Sequence, residues 1–584
     1  MSDPHAPATG VPAPSEPSAS ERVKATSAHL RGSIAAELAT PTPVFGDASV
    51  QLIKFHGIYQ QDDRDQRRAL RAAGGEKAYQ MMIRVRVPGG RVSPAAYLAH
   101  DRIVRRWGNG TLRITTRQAF QLHGVVKGDL RRTVRSINRT LLTTLAGCGD
   151  VERNITCCPA PRADRLRTEV AAVLADLVAA LTPATSAYHE IWIDGQRARV
   201  TPAAPELEEL YGDTYLPRKF KTAIALPGDN CVDVYAHDLG LVARRGDDGG
   251  LAGFTVLVGG GLGRTHHKLQ TYPHLGQPLA EVPPAQAVAL ARAVVGVQRD
   301  HGDRRDRRHA RLKYLVAERG LGWLRAEVEA RLGHRLAEPG PLRWPAPSDH
   351  LGWHAQGDGL LYCGIHVENG RIRDRPEAAL MTGLRRLVAE LGTPVRLTPQ
   401  QNLILTHIPP RQRVQVDAIL AAHGVLPVRA LPPTVRHAMA CPALPTCGLA
   451  VAEAERVLPS LLRRLVEVAD GLGLGREAIG VRMTGCPNGC TRPYLGDVGL
   501  VGTTLGKYDL HLGGDAAGTR LNSVYLPSVP LAEIPDRLQR PLRLFARERL
   551  PGERFGDFCH RIGVTQLRHR CGEVGPEAVV PIGA

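Results

Sequence analysis

No stretch of this chain approaches the roughly 20 consecutive apolar residues that a membrane helix requires, so no bilayer-spanning segment is expected. Aromatic residues are scarce, at 4 %, and no nucleic-acid recognition motif accompanies them, which leaves few platforms for base stacking. Met1 is not followed by a basic and then an apolar segment, so no export signal is expected. The 11 cysteines are therefore expected to stay reduced, in the cytoplasm. A dinucleotide fingerprint is also missing. Phe254-Thr-Val-Leu-Val258 runs into Gly259 and Gly261, but the third fingerprint glycine would fall at 264, where Arg264 stands. A tight strand-to-loop turn accounts for these glycines, and the chain is not expected to bind NADPH itself.

What is plentiful is positive charge. Lys and Arg number 75 against 57 Asp and Glu, a formal net charge of +18. Phosphate neutralisation, an acidic protein partner, or an internal polycarboxylate and anionic substrate would each use such an excess. Composition leaves the three open. The apolar share of 43 % is ample for cores, and 584 residues should hold about four domain-sized units. Residues 1–27 open with MSDPHAPATGVPAPSEPSAS, rich in Pro, Ala and Ser, and are expected to be a disordered tail, with ordered chain from near Leu30.

The organising stretch runs from Cys441 to Cys490. Cys441-Pro-Ala-Leu-Pro-Thr-Cys447 is followed by an amphipathic helical segment and then by Thr484-Gly-Cys486-Pro-Asn-Gly-Cys490. Two close pairs of thiols can converge on one soft metal centre, and four thiolates are what a cubane iron–sulfur cluster requires. Structural zinc prefers C-x2-4-C knuckles, for which C-x5-C is wide. Buried inert cysteine accounts for scattered thiols such as Cys148, Cys231, Cys363, Cys559 and Cys571, not for paired ones beside Gly and Pro.

An internal repeat is also present. Met82-Ile-Arg84-Val-Arg86-Val alternates at the strand period, Ala95 to Trp107 reads as helix, Thr111 to Gly124 as strand, and Asp129 to Leu145 as helix again. The order recurs in Leu361 to Val367, Ala378 to Leu391, Val395 to Leu405 and Gln412 to His423. Both copies contain Arg-x-Thr-x-x-Gln, as Arg113, Thr115, Gln118 and as Arg396, Thr398, Gln401. Gly-Arg turns precede both, at Gly90-Arg91 and Gly370-Arg371. Neither β-α-β-α unit covers both faces of a sheet alone, so the copies should pair into one domain with a pseudo-twofold. Between and around them, Arg84, Arg113, Arg117, Arg153, Lys219 and Lys221 recur on strands or just after helices. Lys219 and Lys221 share one face at strand period and repel unless an anion sits between them. A lone arginine on such a strand is usually solvated; this concentration points to an anion site.

The C-x5-C and T-G-C-P-N-G-C pattern resembles the sirohaem-dependent sulfite and nitrite reductases. In that family the four thiolates hold a 4Fe–4S cluster and the last cysteine bridges to the sirohaem iron. The resemblance implies Cys441, Cys447, Cys486 and Cys490 as cluster ligands, with Cys490 as the bridge. Ile-Arg-Val-Arg-Val-Pro-Gly-Gly, Arg-Asn-Ile-Thr-Cys and Tyr-Leu-Pro-Arg-Lys-Phe-Lys-Thr look like the family's distal-pocket motifs. They imply sulfite contacts for Arg84, Arg153, Lys219 and Lys221. The resemblance further places Arg113, Thr115, Arg117, Gln121, His123, Arg311, Lys313 and Asn488 against the sirohaem or its carboxylates. Arg304, Arg305, Arg307 and Arg308 read as a solvated helix face. Some ferredoxin-dependent members have, where Cys158 stands, a cysteine cross-linked to a tyrosine, for which Tyr59 would be the partner.

The fold implied is α+β. Duplicated ferredoxin-like half-repeats at 50–145 and 346–428 pair into one domain, beside a sirohaem and substrate domain at 146–345 and a cluster and sirohaem domain at 429–584. These two larger mixed α/β domains are related by a pseudo-twofold. The function implied is the six-electron reduction of sulfite to sulfide in cysteine biosynthesis, most like the haemoprotein subunit of the NADPH-dependent enzymes. Electrons would come from a flavoprotein subunit carrying FAD and FMN, in a hetero-oligomer. A ferredoxin-dependent sulfite or nitrite reductase is the alternative within the same chemistry, and a basic iron–sulfur nucleic-acid-binding protein the alternative outside it.

Overall fold

A computed structural model describes residues 16–573, apart from 186, 188–190, 194, 195, 199–207, 346 and 347. The first repeat forms strands Ile58–Asp62, Tyr79–Arg84, Leu112–Ile114 and Phe120–Val125; the second forms Gly352–Ala355, Leu361–Ile365, Val395–Leu397 and Leu403–Ile408. Helix Pro94–Trp107 starts where the sequence allows it. The Ser93 hydroxyl accepts from the Ala96 amide, Pro94 occupies a first-turn position that needs no N–H, and Gly108 follows the last turn. The helix expected over 129–145 is shorter, Leu130–Asn138. Beyond it the chain leaves the helical path, and Thr143 pairs instead with Arg86 in a backbone bridge.

The two repeat sheets exchange an edge. Arg91–Val92 joins the sheet of the second repeat, with Val92 opposite Val395. Arg371–Ile372 joins the sheet of the first, with Ile372 opposite Leu112. Each visiting strand leaves a turn that ends in a left-handed glycine, Gly90 at φ 72° and Gly370 at φ 73°. A Cβ there would stand 2.3 Å from a carbonyl oxygen of the other repeat, Leu397 O or Ile114 O, so no side chain fits. The repeated glutamines brace this crossing: Gln118 Nε2 donates to Leu397 O at 2.9 Å, and Gln401 Nε2 to Ala440 O at 3.1 Å. One apolar core runs through both repeats, with Ile83, Leu122, Ile365, Leu384 and Leu405 among its members. Each such side chain contributes roughly 1.5–3 kcal/mol on burial. The copies therefore make one domain.

The two remaining five-stranded sheets also repeat each other. Thr156–Cys157, Thr222–Ala225, Leu239–Arg245, Leu251–Val258 and Gln277–Val282 run parallel twice and then antiparallel twice. Met439–Ala440, Val481–Thr484, Val498–Thr504, Lys507–Leu512 and Ser523–Pro530 follow the same scheme. The connections between second and third strands, 226–238 and 485–497, are equal in length, and each turns on a left-handed residue, Asp233 or Arg492. Helices Leu312–Arg319 and Phe555–Ile562 also match in length. Each starts after an arginine that meets the aspartate closing the connection, Arg311 with Asp238 and Arg554 with Asp497.

The tail differs from expectation. Residues 1–15 lie outside the described residues, but Ala19–Ala25 is helix within the span expected to be disordered. Lys24 is buried, donates to Leu216 O at 2.7 Å, and lies 2.5 Å from Glu21 and 3.7 Å from Asp150. Arg304 pairs with Glu21, and Arg307 with Asp150 at 2.7 Å. Those two arginines thus belong to a buried ion network and not to a solvated helix face. A Pro/Ala/Ser-rich composition carries no sign of partners almost three hundred positions away.

Candidate active site

The sheet order assembles the cysteine pairs. Cys441 follows Met439–Ala440, and Cys486 and Cys490 lie in the connection after the adjacent parallel strand Val481–Thr484. Cys441 and Cys486 are buried, Cys447 half-buried and Cys490 exposed. Burial first, then Cys490, pushes the Cys441 thiol well above and the Cys447 thiol above the usual range; Cys486 rises to about 12 for the same reasons. Thiols whose ionisation is opposed in this way can be held as thiolates by a cationic cluster among them. Sulfur also finds donors, as an iron–sulfur site requires: Gly485 N to Cys441 Sγ and Asn488 Nδ2 to Cys486 Sγ, both at 3.4 Å.

Cations gather beside the thiols. Lys219 and Lys221 flank Phe220, whose backbone pairs with Val151 and Arg153 and so brings Arg153 alongside. Burial, then Arg218, Arg153 and Arg311, holds Lys219 well below the ordinary lysine range, with Cys490 an attractive neighbour. Burial, then Arg311, Lys219 and Arg117, does the same to Lys221. Arg84 ends its strand over the Tyr59 ring, 5.9 Å from the centroid, and donates to Cys148 Sγ. Arg86, two residues past the end of that strand, donates to the Thr182 hydroxyl at 2.6 Å. Arg117 donates to Asn154 O, and burial lowers it to about 9. Gln121 Nε2 donates to Met82 Sδ at 3.5 Å.

Several buried polar atoms here have no partner among the described residues: Arg84 Nε, Arg117 Nη1 and both ring nitrogens of His123. Burial, then Arg371 and Arg113, holds His123 neutral. Orphaned buried donors such as these fit a polycarboxylate tetrapyrrole, since buried polar groups are otherwise satisfied.

Other expected site residues are tied to the frame. Arg113 Nη2 donates to Asn369 O at 3.0 Å and to Ala440 O at 2.7 Å, next to Cys441. The Thr115 hydroxyl accepts from the Arg117 and Ala119 amides. Arg311 grips Asp238 and Gly260 O; Lys313 donates to Gly261 O and Gly263 O at 3.0 Å and to Tyr272 O. Both hold the glycine turn, which docks on the cluster loop through Arg264 N and Pro487 O at 2.9 Å.

A family model for the 4Fe–4S domain of nitrite and sulphite reductase matches residues 177–336 and 433–577, and one for the ferredoxin-like half domain matches 74–139 and 354–423. The chain belongs to the nitrite and sulphite reductase family. Within that family it is 46 % identical to the sulfite reductase (NADPH) hemoprotein beta-component of Myxococcus xanthus, over 93 % of this chain and 96 % of that one. It is 43 % identical to the sulfite reductase (ferredoxin) of Synechococcus elongatus, over 97 % and 93 %. The solved structure of Mycobacterium tuberculosis NirA superposes with a TM-score of 0.76 at 26 % identity, covering 95 % of this chain and 98 % of that one.

For this reductase-family chain the structure also shows what sequence reading missed. Cys158 does not meet Tyr59; it lies against Asp229 and His350. The thiol hydrogen-bonded to Tyr59 is Cys148, which the folding back of residues 144–149 on Phe55 brings there. Thr116 donates to the Cys490 carbonyl at 2.8 Å, and Arg492 joins Asp233, Thr116 O and Pro399 O. No spacing rule points to these, because each partner lies more than ninety positions away.

Proposed function

We propose that the chain reduces sulfite to sulfide, a six-electron reaction, with sirohaem and a 4Fe–4S cluster as its resident cofactors. Cys441, Cys447, Cys486 and Cys490 would hold the cluster, and Cys490 would also serve the sirohaem. When bound, this pair supplies electrons, which no side chain can do. One observation carries the reading: adjacent parallel strands bring the two cysteine pairs to one place, and the weakly compensated cations Arg153, Lys219 and Lys221 gather beside it.

Arg84 and Arg153 give fixed positive charge to the oxyanion, as a guanidinium stays protonated. Lys219 and Lys221, lowered by burial and cationic neighbours, bind the anion through Nζ and release a proton from it as oxygen leaves as water. Arg117, Gln121 and His123 present donors to the tetrapyrrole carboxylates, and Asn488 to a cluster sulfur. Arg113, Thr115, Arg311 and Lys313 act through the backbone that they fix. Residues 146–345 thus supply most of the anion wall and 429–584 the thiolates, while the half-repeats at 50–145 and 346–428 bridge them.

Electrons come from a separate NADPH-dependent flavoprotein subunit with FAD and FMN, in a cytoplasmic hetero-oligomer. The names of the Myxococcus relative and its like support this, as does Arg264 where a dinucleotide fingerprint needs glycine. Ferredoxin as donor is the second reading, favoured by the Synechococcus relative. The purified protein, made in a host that synthesises sirohaem, should show Soret and red-region bands and reduce sulfite faster than nitrite with the reduced flavoprotein. Colourless protein, or iron without extractable tetrapyrrole, refutes the function; faster turnover with reduced ferredoxin selects the second donor.

A further inference from the structure

The duplication of the two large sheets sets up a second thiol site. Cys158 follows its strand Thr156–Cys157 just as Cys441 follows Met439–Ala440, and a proline comes next in both. Cys231 occupies the same position in the connection 226–238 as Cys490 does in 485–497, two residues before the left-handed Asp233 or Arg492. The scaffold that brings Cys441 and Cys490 together therefore brings Cys158 and Cys231 together in the other half. Cys447 and Cys486 have no cysteine counterparts: positions 164 and 227 are Asp and Pro. In their stead Asp229 and His350 converge on the two thiols.

The donor atoms of Cys158, Asp229, Cys231 and His350 all lie within 4.8 Å of one another. Cys158 Sγ is 3.3 Å from Asp229 Oδ2 and 3.9 Å from His350 Nε2, and that nitrogen is 3.2 Å from the same carboxylate oxygen. Zinc bonds of about 2.3 Å to sulfur and about 2.0–2.1 Å to nitrogen or oxygen give tetrahedron edges of roughly 3.3–3.8 Å. The separations already have that scale. The four cluster cysteines form no group this tight among the described residues, as expected where a cube of iron and sulfide, not one ion, must fit between them.

The surroundings prepare the donors. Asp229 Oδ1 accepts from the Cys231 amide at 3.0 Å, leaving Oδ2 to the site. His350 is held with φ at 55°, an unfavourable backbone for histidine, and its amide donates to Ser348 Oγ at 3.1 Å. Cys158, Cys231 and His350 are almost fully buried, and Asp229 is partly open, on the side from which an ion would arrive. Two thiols, one imidazole and one carboxylate form a closed four-ligand set for a borderline-soft ion, with no position left for substrate.

We propose that Cys158, Cys231, His350 and Asp229 bind one structural zinc ion, at the pseudo-twofold counterpart of the cluster site. The ion would pin three segments together: the strand end after Thr156–Cys157, the connection 226–238 and the start of the second half-repeat. This site stands on the duplication and the donor geometry, independently of the reaction assigned to the other half.

The test is metal analysis of the holoenzyme purified anaerobically, with iron and sirohaem measured in the same sample. Zinc is expected at one per chain, and its K-edge absorption should show two sulfur and two nitrogen or oxygen ligands. A Cys231→Ser, His350→Ala double variant should lose at least tenfold in zinc while its iron content and visible spectrum stay unchanged. Wild-type protein with less than a tenth of a zinc per chain overturns the proposal. So do zinc without sulfur ligands, zinc retained in the double variant, extra iron in zinc's place, or a Cys158–Cys231 disulfide. Should the variant not fold, the wild-type zinc content and edge spectrum decide by themselves.

Discussion

Replacing Glu455 by glutamine should loosen the cluster loop without touching a thiol. Glu455 is buried and receives Arg371 at both oxygens, Nε at 2.7 Å and Nη2 at 2.9 Å, with Arg113 Nε at 3.5 Å. Its own amide donates to Cys441 O at 3.1 Å, and its carbonyl accepts from Asn369 Nδ2 at 3.0 Å. Burial raises the carboxyl, but Arg371 and then Arg113 outweigh it and hold it at about 2 against an ordinary 4.5. At about 1.4 kcal/mol per pH unit, that depression stands for stability on the order of 3 kcal/mol. The pKa is depressed on folding, so this stability is present above pH 4.5 and is lost as pH falls through about 2. Glu455→Gln and Arg371→Gln should each lower stability by about 3 kcal/mol at pH 7, because each leaves a buried charged partner uncompensated. The double variant should be little worse than either. Urea denaturation of the four proteins, read by circular dichroism and by cluster absorbance, measures the coupling. The gap between wild type and Glu455→Gln should narrow at pH 4. Additive single effects, with a coupling below about 0.5 kcal/mol, would refute the reasoning.

Lys219→Met should cut sulfite turnover by about a hundredfold or more while the visible spectrum stays parental; an unchanged rate in a steady-state assay would remove its proposed acid role. Gly370→Ala should destabilise by several kcal/mol, since its Cβ would stand 2.3 Å from Ile114 O, whereas Gly392→Ala, also left-handed but with nothing within 4 Å, should lose about 1 kcal/mol in the same melt. Asp150 is raised by burial but pulled down to about 2 from 3.8, by Arg307 and then Lys24. Asp150→Asn should therefore lose about 2 kcal/mol at pH 7, a deficit that shrinks as pH drops below 4, and urea titrations at the two pH values check it.

Local spacing made the paired cysteines and the half-repeats legible. Cys441 to Cys490 is contiguous chemistry, and Arg-x-Thr-x-x-Gln marks a turn that both copies need, with Gln118 and Gln401 in the left-handed region. The strand exchange was not legible, because Arg91–Val92 and Arg371–Ile372 are two-residue strands whose partners lie in the other copy. The second duplication showed only as a family resemblance. Its halves share backbone turns and equal connections while their side chains have diverged, as at Asp233 and Arg492. The resemblance places Arg311 and Lys313 toward the cofactor, whereas the carbonyls and Asp238 that they hold are not visible in a sequence. The helix Ala19–Ala25 shows the same limit, since Leu216 O and Asp150, both far along the chain, join Glu21 in holding Lys24 inside.

The exchanged edge strands mean that neither half-repeat is self-sufficient. Cut free, one copy would offer the open side of Leu112–Ile114 to whatever chain came near, and the surface best shaped for it is a second molecule of itself. Joined in one polypeptide, the pair behaves as a homodimer made permanent by its tether. Symmetry is then no longer enforced by identity, and each side is at liberty to specialise.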